Sequence, residues 1–504
     1  MPLFPEAPIP NRPGAMPQPG VGVRPLLTAR LPVLDAVAPM DAAEAFRDLP
    51  GLALLESARP GRTGRWSYLT ADPVAVVVSP SEGPDPLVEA RALLARMGGS
   101  DGAYGSAPAH RSEATPPFRG GLVGFLGYDL GRRFETLPSI ARVDQHLPVM
   151  RLALHDWALA WDRRRGEAWL GVRVVDGDAA RADHRFREIR TRVEALIAGY
   201  LPDPRPVPDH RSAAEAPIPV AFTSGTQHAA WLRGVEAVRE AIGRGEIYQA
   251  NLTRRLEAPF MGDPWPLFRR LRTGDPALFA GYLDLGPSPA TGAPRALLSA
   301  SPEPFLSVDG EGNVSTDPIK GTRKRGRTPA EDRSLLRELV ASRKDQAENV
   351  MIVDVLRNDL GRVCEPGSVR VPRLLRPERT AAVQHLVTTV TGRLSSGRDA
   401  FDLLAASFPG GSITGAPKIR AMEIIEGLEP VRRGPYCGAM VWLGPDGRLG
   451  SSILIRTLVA DGERLTLHVG GGITWRSDPQ DEWDETVAKA RGPLGSIGAV
   501  EVEP

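Results

Sequence analysis

Cysteine is nearly absent. Cys364 and Cys437 are the only thiols in 504 residues, and they lie far apart. Two cysteines make neither a disulfide framework nor a structural zinc site, so a reducing cytoplasm is the expected compartment. Charge of one sign is missing too: 62 basic and 61 acidic residues leave a formal net charge of +1. A dedicated nucleic-acid or membrane-surface binder carries a one-signed footprint, so neither partner is expected. No uninterrupted apolar run is long enough to span a bilayer. The opening stretch "MPLFPEAPIPNRPGAMPQPG" lacks the apolar core of a signal peptide. There is no GxxxxGK[ST] loop and no strand–GxGxxG–helix fingerprint. No Ser-His-Asp or Cys-His order with a recognisable elbow is present, so hydrolysis by that route is unsupported.

What remains is an ordinary globular composition, 42% hydrophobic, long enough for more than one domain. Residues 1–25 read as a flexible Pro-rich tail. Residues 26–200 alternate strand-like and helical pieces. "GLALLES" and "PVAVVVS" look like buried strands, and "PLVEARALLARM" has helical spacing. "RLALHDWALAWDR" and "EAWLGVRVV" read as a hairpin followed by a helix. Residues 201–226 are Pro-rich and aperiodic, a linker. A second unit spans 227–495 and opens on an amphipathic helix closed by Gly243 and Gly245, with 496–504 as a tail. The class is α/β (α+β), with sheet in both halves.

Two helical segments carry paired acids. Asp345 and Glu348 share one face in "KDQAENVMIVDVLRNDLGRV". Glu482, Glu485 and Lys489 share one in "DPQDEWDETVAKARG". Either face can be a solvated, ion-paired surface, or the two can converge on one hard cation such as Mg²⁺. Gly410, Gly411 and Gly415 precede a helix, and Gly470, Gly471 and Gly472 end a strand. Both stretches fit tight turns or backbone amides offered to an anion. Arg456 in "SSILIRTLV" reads as an arginine inside an apolar strand, which requires a buried anion. Glu303 is fixed between Pro302 and Pro304, and His385 stands alone in a strand-like run. Lys320, in "STDPIKGTRKRG", is set apart from the cations that follow it.

The ordered set "GEIYQANLTRR", "SASPEPF", "DPIKGTRKRG", "KDQAENVMIVDVLRNDLGRV", "VQHLVTT", "FPGGSITGAPKIRAMEII", "YCGAM", "SSILIRT", "HVGGGIT" and "DEWDETVAKA" resembles the chorismate-utilising enzymes. The resemblance covers about residues 227–492, and "LALLES" with "GGLVGFLGYDLGRRFE" extends it to the N-terminal half of the aminating members. It implies an anthranilate-synthase-type fold, two central packed sheets flanked by helices. Anthranilate synthases usually read PIAGT where this chain reads PIKGT, as aminodeoxychorismate synthases do.

The resemblance implies roles residue by residue. Lys320 looks like a nucleophile that adds to C2 of chorismate, a ring bearing two carboxylates, while the C4 hydroxyl leaves. Ammonia then adds at C4 and expels the lysine, splitting one difficult step into two. Glu303 looks like the acid that protonates the departing hydroxyl. His385 looks like a supporting residue near the ring. Glu348 and Glu485 look like direct Mg²⁺ ligands, with Asp345 and Glu482 acting through water. Tyr436, Arg456 and the amides around Gly472 look like binders of the enolpyruvyl carboxylate. Ser412, Gly470, Lys489 and Thr322 look like further substrate contacts. Ser57 looks like part of a tryptophan pocket. This sequence departs from the family pattern at Asp345, Pro304, Trp475 and Arg476. It carries no Gly-x-Cys-x-Gly elbow, so ammonia is expected from solution or from a separate glutamine amidotransferase subunit, for 4-aminobenzoate and folate synthesis. The rival expectation is anthranilate formation.

Overall fold

The computed structural model describes residues 26–59, 64–98, 115–199, 221–379 and 383–502. The expected tail at 1–25 and most of the expected linker lie outside them. Among the described residues, the strands form a 13-stranded and a 10-stranded sheet. Each sheet is spliced from both ends of the chain. In the first, Ala53–Glu56 pairs with Phe279–Pro287. In the second, Gly121–Leu126 pairs with Ala439–Leu443. A core of Phe118, Val123, Phe125, Leu297, Met440 and Val459 fills the space between them. Gly281 lets the sheets approach, because a Cβ there would collide with the Met440 sulfur.

Two sequence expectations change. "RLALHDWALAWDR" is not one strand. Met150–His155 joins the 10-stranded sheet and Trp157–Asp162 the 13-stranded one. The break falls at Asp156, a buried carboxylate paired with Arg185 at 3.4 Å and Arg181 at 3.5 Å. The expected C-terminal tail contains a strand, Val500–Val502, parallel to Ala221–Ser224. It is held because Glu501 forms an ion pair with the buried Arg254.

Helices cover the outer faces. Pro479–Ile497 packs on the 13-stranded sheet beside His228–Gly243 and Pro264–Gly274. Its start is set by Asp478, whose carboxylate accepts from the Gln480 and Asp481 amides, with Pro479 at the first position. Gly498 ends it in the left-handed conformation at φ 76°. On the other sheet lies Arg343–Gly361, started by Ser342 capping the Asp345 amide. No helix among the described residues is long and apolar enough to cross a membrane.

The far end of that second helix is pinned. Lys418 donates to Asp359 at 2.7 Å and to the Ser407 carbonyl at 2.8 Å. Lys418 and Ser407 flank the Gly-rich stretch 408–417, so one ammonium clasps both its ends to the helix. Burial holds the Asp359 carboxyl up at about 6 and pushes the Lys418 ammonium down. Removing one buried partner strands the other charge. Lys418→Met is therefore expected to lower stability by about 3–5 kcal/mol in urea unfolding. Asp359→Leu combined with Lys418→Met recovers most of that loss.

Candidate active site

Lys320 lies on the strand Ile319–Lys324, opposite Leu386. It is half-buried, and its Nζ donates to the Ser412 carbonyl at 3.2 Å. The register slips between Lys320 and Thr322, at Gly321. Gly321 has φ +76°, and a Cβ there would meet the Asp345 Cβ at 2.9 Å. Glycine is thus needed twice, for the backbone turn and for the close helix. Beyond the slip, the Thr322 hydroxyl sits 2.9 Å from His385 Nδ1. Burial pushes the His385 imidazole down to about 4, helped by the charges of Arg456 and Arg59. His385 is therefore neutral at physiological pH.

Ser412 joins the nucleophile candidate to the acid candidate. Its carbonyl also accepts from Asn251 Nδ2 at 3.1 Å, and its hydroxyl hydrogen-bonds the Glu303 carboxyl. Glu303 sits between the strands Pro294–Ser301 and Pro304–Val308, buried. Burial raises its pKa, while the Ser412 hydroxyl and the charges of Lys320 and Lys489 pull it back. The turn Gly411–Ile413 is fixed from behind by Arg433. That buried guanidinium donates to the Ile413 carbonyl at 3.0 Å, the Asn251 carbonyl at 2.6 Å and the Glu429 carboxylate at 2.7 and 2.9 Å. Asn251, Glu429 and Arg433 were not singled out from the sequence. Asn251 and Arg433 donate to backbone carbonyls, which leave no pattern, and Glu429 accepts from Arg433 and from the Thr253 amide and hydroxyl; the Glu429–Arg433 spacing beside "YCGAM" was a usable sign.

The acids of the two helices meet at this point. Glu348 Oε1 is buried without a hydrogen-bond partner. Burial raises the Glu348 pKa, and the charges of Asp345 and Glu482 add to it against Lys320 and Lys344. Burial likewise raises Glu482, with Glu485 adding and the Ser477 hydroxyl opposing. Glu485 is exposed, and although partial desolvation opposes it, Lys489 at 2.6 Å prevails and holds its carboxyl below the usual carboxylate range. Lys489 also donates to the Gly470 carbonyl at 2.8 Å. A Cβ at Gly471 would stand 3.3 Å from Glu482 Oε2 and 3.5 Å from Glu485 Oε1. Asp345 accepts from Arg323 at 3.2 Å. Asp345 and Glu482 sit in the first turns of their helices, where the dipole favours an anion. No set of three or more carboxylate, imidazole or thiol groups in metal-holding geometry forms among the described residues. The orphaned Glu348 oxygen and the all-oxygen donors nevertheless fit a hard cation that keeps its waters and takes few carboxylates, as Mg²⁺ does.

Of the remaining residues, Tyr436 is buried and stacked on His468 at 4.9 Å. Gly472 stands opposite Asn251, and a Cβ there would collide with the Gln249 amide nitrogen. Gln249 is fully buried and its Oε1 has no partner. Arg456 is a correction. It lies not inside a strand but at the break between Leu449–Ile453 and Thr457–Asp461, at φ +49°. Its side chain is 42% exposed and pairs with Asp275 at 3.6 Å, so it needs no buried anion. Ser57 lies apart from this cluster, on the wall of a cavity of about 290 Å³ shared with Phe279, Met440 and Trp442. Its hydroxyl donates to the Trp66 carbonyl at 2.9 Å.

The sequence pattern described as chorismate binding enzyme matches residues 85–495. The chain belongs to the chorismate-binding enzyme family. It is 41% identical over 375 residues to aminodeoxychorismate synthase component 1 of Salmonella typhimurium, covering 74% of this chain and 76% of that protein. It is 38% identical over 467 residues to anthranilate synthase component 1 of Streptomyces coelicolor, covering 89% and 84%. Its fold matches the crystal structure of anthranilate synthase component I from Streptococcus pneumoniae at a TM-score of 0.70 and 28% identity, over 86% of this chain and 93% of that one. The expected mixed α/β fold with two sheets is thereby shown for this family member.

The carboxylate cluster carries a prediction that does not depend on turnover. The Glu348 pKa is raised on folding, so its charged form opposes folding at neutral pH. Glu348→Gln is expected to raise the midpoint of metal-free urea unfolding at pH 7. The same change should abolish any stabilisation that added Mg²⁺ gives the unsubstituted protein.

Proposed function

We propose that this chorismate-binding enzyme is an aminodeoxychorismate synthase component I, making 4-amino-4-deoxychorismate from chorismate and ammonia. One observation carries the reading. Lys320 is held through Ser412 beside Glu303, so an amine and a buried carboxyl are mounted on the same residue. In the first step the Lys320 amine bonds to C2. The ring double bond shifts, and the C4 oxygen leaves as water with the proton of Glu303. In the second step ammonia bonds to C4, the double bond shifts back, and the C2–lysine bond breaks. We assign Tyr436, Arg456 and the Gly472 amide to the enolpyruvyl carboxylate, Arg456 then sharing its charge with Asp275, and Thr322, Gly470 and Lys489 to further contacts. His385, neutral, supports the ring without adding charge. Mg²⁺, when held by Glu348 and Glu485 with Asp345 and Glu482 behind water, supplies positive charge for the ring carboxylate. Ammonia comes from a separate glutamine amidotransferase subunit. Both free thiols are buried, which suits the reducing cytoplasm we assign. The Ser57 cavity is apolar enough for the indole of tryptophan, and we retain that ligand for it.

Product identity tests the reading. Chorismate, Mg²⁺ and ammonium are incubated with the protein and with Lys320→Ala, and products are separated by chromatography and mass. The unsubstituted protein should make aminodeoxychorismate, and the alanine variant should lose it or turn to anthranilate. Anthranilate from the unsubstituted protein would overturn C4 amination.

The pH profile tests Glu303. A general acid works only while protonated, so the rate should fall as pH rises through the Glu303 pKa, which burial has raised. The Ser412 hydroxyl favours the carboxylate form. Ser412→Ala should therefore move the alkaline limb of kcat to higher pH, and an unmoved limb would remove Glu303 from the acid role.

A further inference from the structure

The strand Arg370–Arg379, "RVPRLLRPER", pairs only with Val383–Arg393 and so forms an edge of the 10-stranded sheet. Arg370 stands opposite Thr391, Arg373 opposite Thr389 and Arg376 opposite Val387. The register slips between each pair of arginines, with Leu375 at φ +51° in the second slip. A three-residue spacing on one strand thus matches a two-residue spacing on the other. Thr391, Thr389, Val387 and His385 alternate along their strand and share one face. Residues directly opposed share it too. Without the slips, arginines three apart would point to alternate faces. With them, all three lie on the face of His385.

Arg370, Arg373 and Arg376 are exposed. None of them forms an ion pair among the described residues. In a chain with a net charge of +1, this is a local concentration rather than a general excess. Pro372 and Pro377 remove amide donors from the edge, which blunts it against a further strand. What the edge offers is charge. Its outer end is at Arg370. Its inner end is at Arg376, two residues along the partner strand from His385, where Glu378 stands opposite. Lys320 lies across the same partner strand, opposite Leu386 and so on the other face, while Thr322, beyond the slip, stands opposite His385. A row of unpaired cations therefore leads along the sheet edge toward His385.

We infer that this arginine row is an electrostatic collector for the dianionic substrate, drawing chorismate along the sheet edge toward His385. Exposed like charges with no partner raise the local concentration of a counter-ion and its rate of capture, and salt screens the effect. The inference rests on the proposed substrate, whose two carboxylates provide the opposite charge.

The test is the salt dependence of kcat/KM for chorismate, with saturating ammonium and Mg²⁺. The protein is compared with Arg370→Gln, Arg373→Gln and Arg376→Gln combined. At about 20 mM salt the triple variant should lose roughly tenfold in kcat/KM with kcat unchanged. By about 500 mM salt the two should converge, because screening removes the advantage. Equal salt slopes for the two proteins would overturn the collector. A loss confined to glutamine-driven turnover with the amidotransferase, sparing ammonium-driven turnover, would overturn it as well, since the row would then serve that subunit. Anthranilate as product overturns C4 amination but leaves the collector tested, because the same dianion enters. A protein that consumes no chorismate overturns both. The three side chains are exposed, so an unchanged urea midpoint separates these outcomes from misfolding.

Discussion

Like charges held together away from water are the constraint around which this structure is arranged. Glu348 and Glu482 are both pushed toward protonation by burial, and each is made worse by its acidic neighbours. Lys489 pairs directly with Glu485, at 2.6 Å, and one Glu348 oxygen has no partner. Such a cluster opposes folding, because desolvated charges are costly unless paired. It persists because each acid sits near the start of a long helix whose other contacts are settled elsewhere. One helix is clasped at its far end by Lys418 and Asp359. The other receives Arg254 through Thr486 at 2.7 Å. The unfavourable pairings are thereby concentrated where a cation and an anionic ring would relieve them.

Ser412 ties Lys320 to Glu303. Its carbonyl orients the Lys320 amine and its hydroxyl contacts Glu303. A displacement of the turn Gly411–Ile413 would move both groups together rather than separate them. Arg433 limits that displacement by holding the turn, the Asn251 strand and Glu429 at once. A planar guanidinium with five fixed donors suits this work, and a lysine could not reproduce the fork.

Sequence reading reached the groups whose chemistry shows in their residue type. Lys320, Glu303 and the four helix acids stand in motifs whose spacing survives folding, and the structure brings them within electrostatic reach of one another. Arg456 was misread because "SSILIRTLV" has no glycine or proline to mark a break, while the backbone turns at φ +49° there. The split at Asp156 was equally hidden, since a strand passing from one sheet to another keeps its apolar run. Asn251 and Arg433 work through carbonyls that any residue supplies. The arginine row was visible as composition, but its sidedness depends on two register slips. Pairing with a strand that begins at Val383 sets those, and no local pattern does.

The strand Val383–Arg393 explains why these features share one place. On one side it pairs with the Lys320 strand, and on the other with the arginine edge. One of its faces carries His385, Val387 and Thr389. Its opposite face carries Leu386 and Val390, both buried. Thr388 on that face donates to Asn349 at 2.5 Å, next to Glu348 in the acid helix. A one-residue slip of this strand would turn His385 away, invert the arginine face and release Asn349 together. The selection of one register therefore couples the sidedness of the arginine row, the placement of the Lys320 strand and the anchoring of the acid helix.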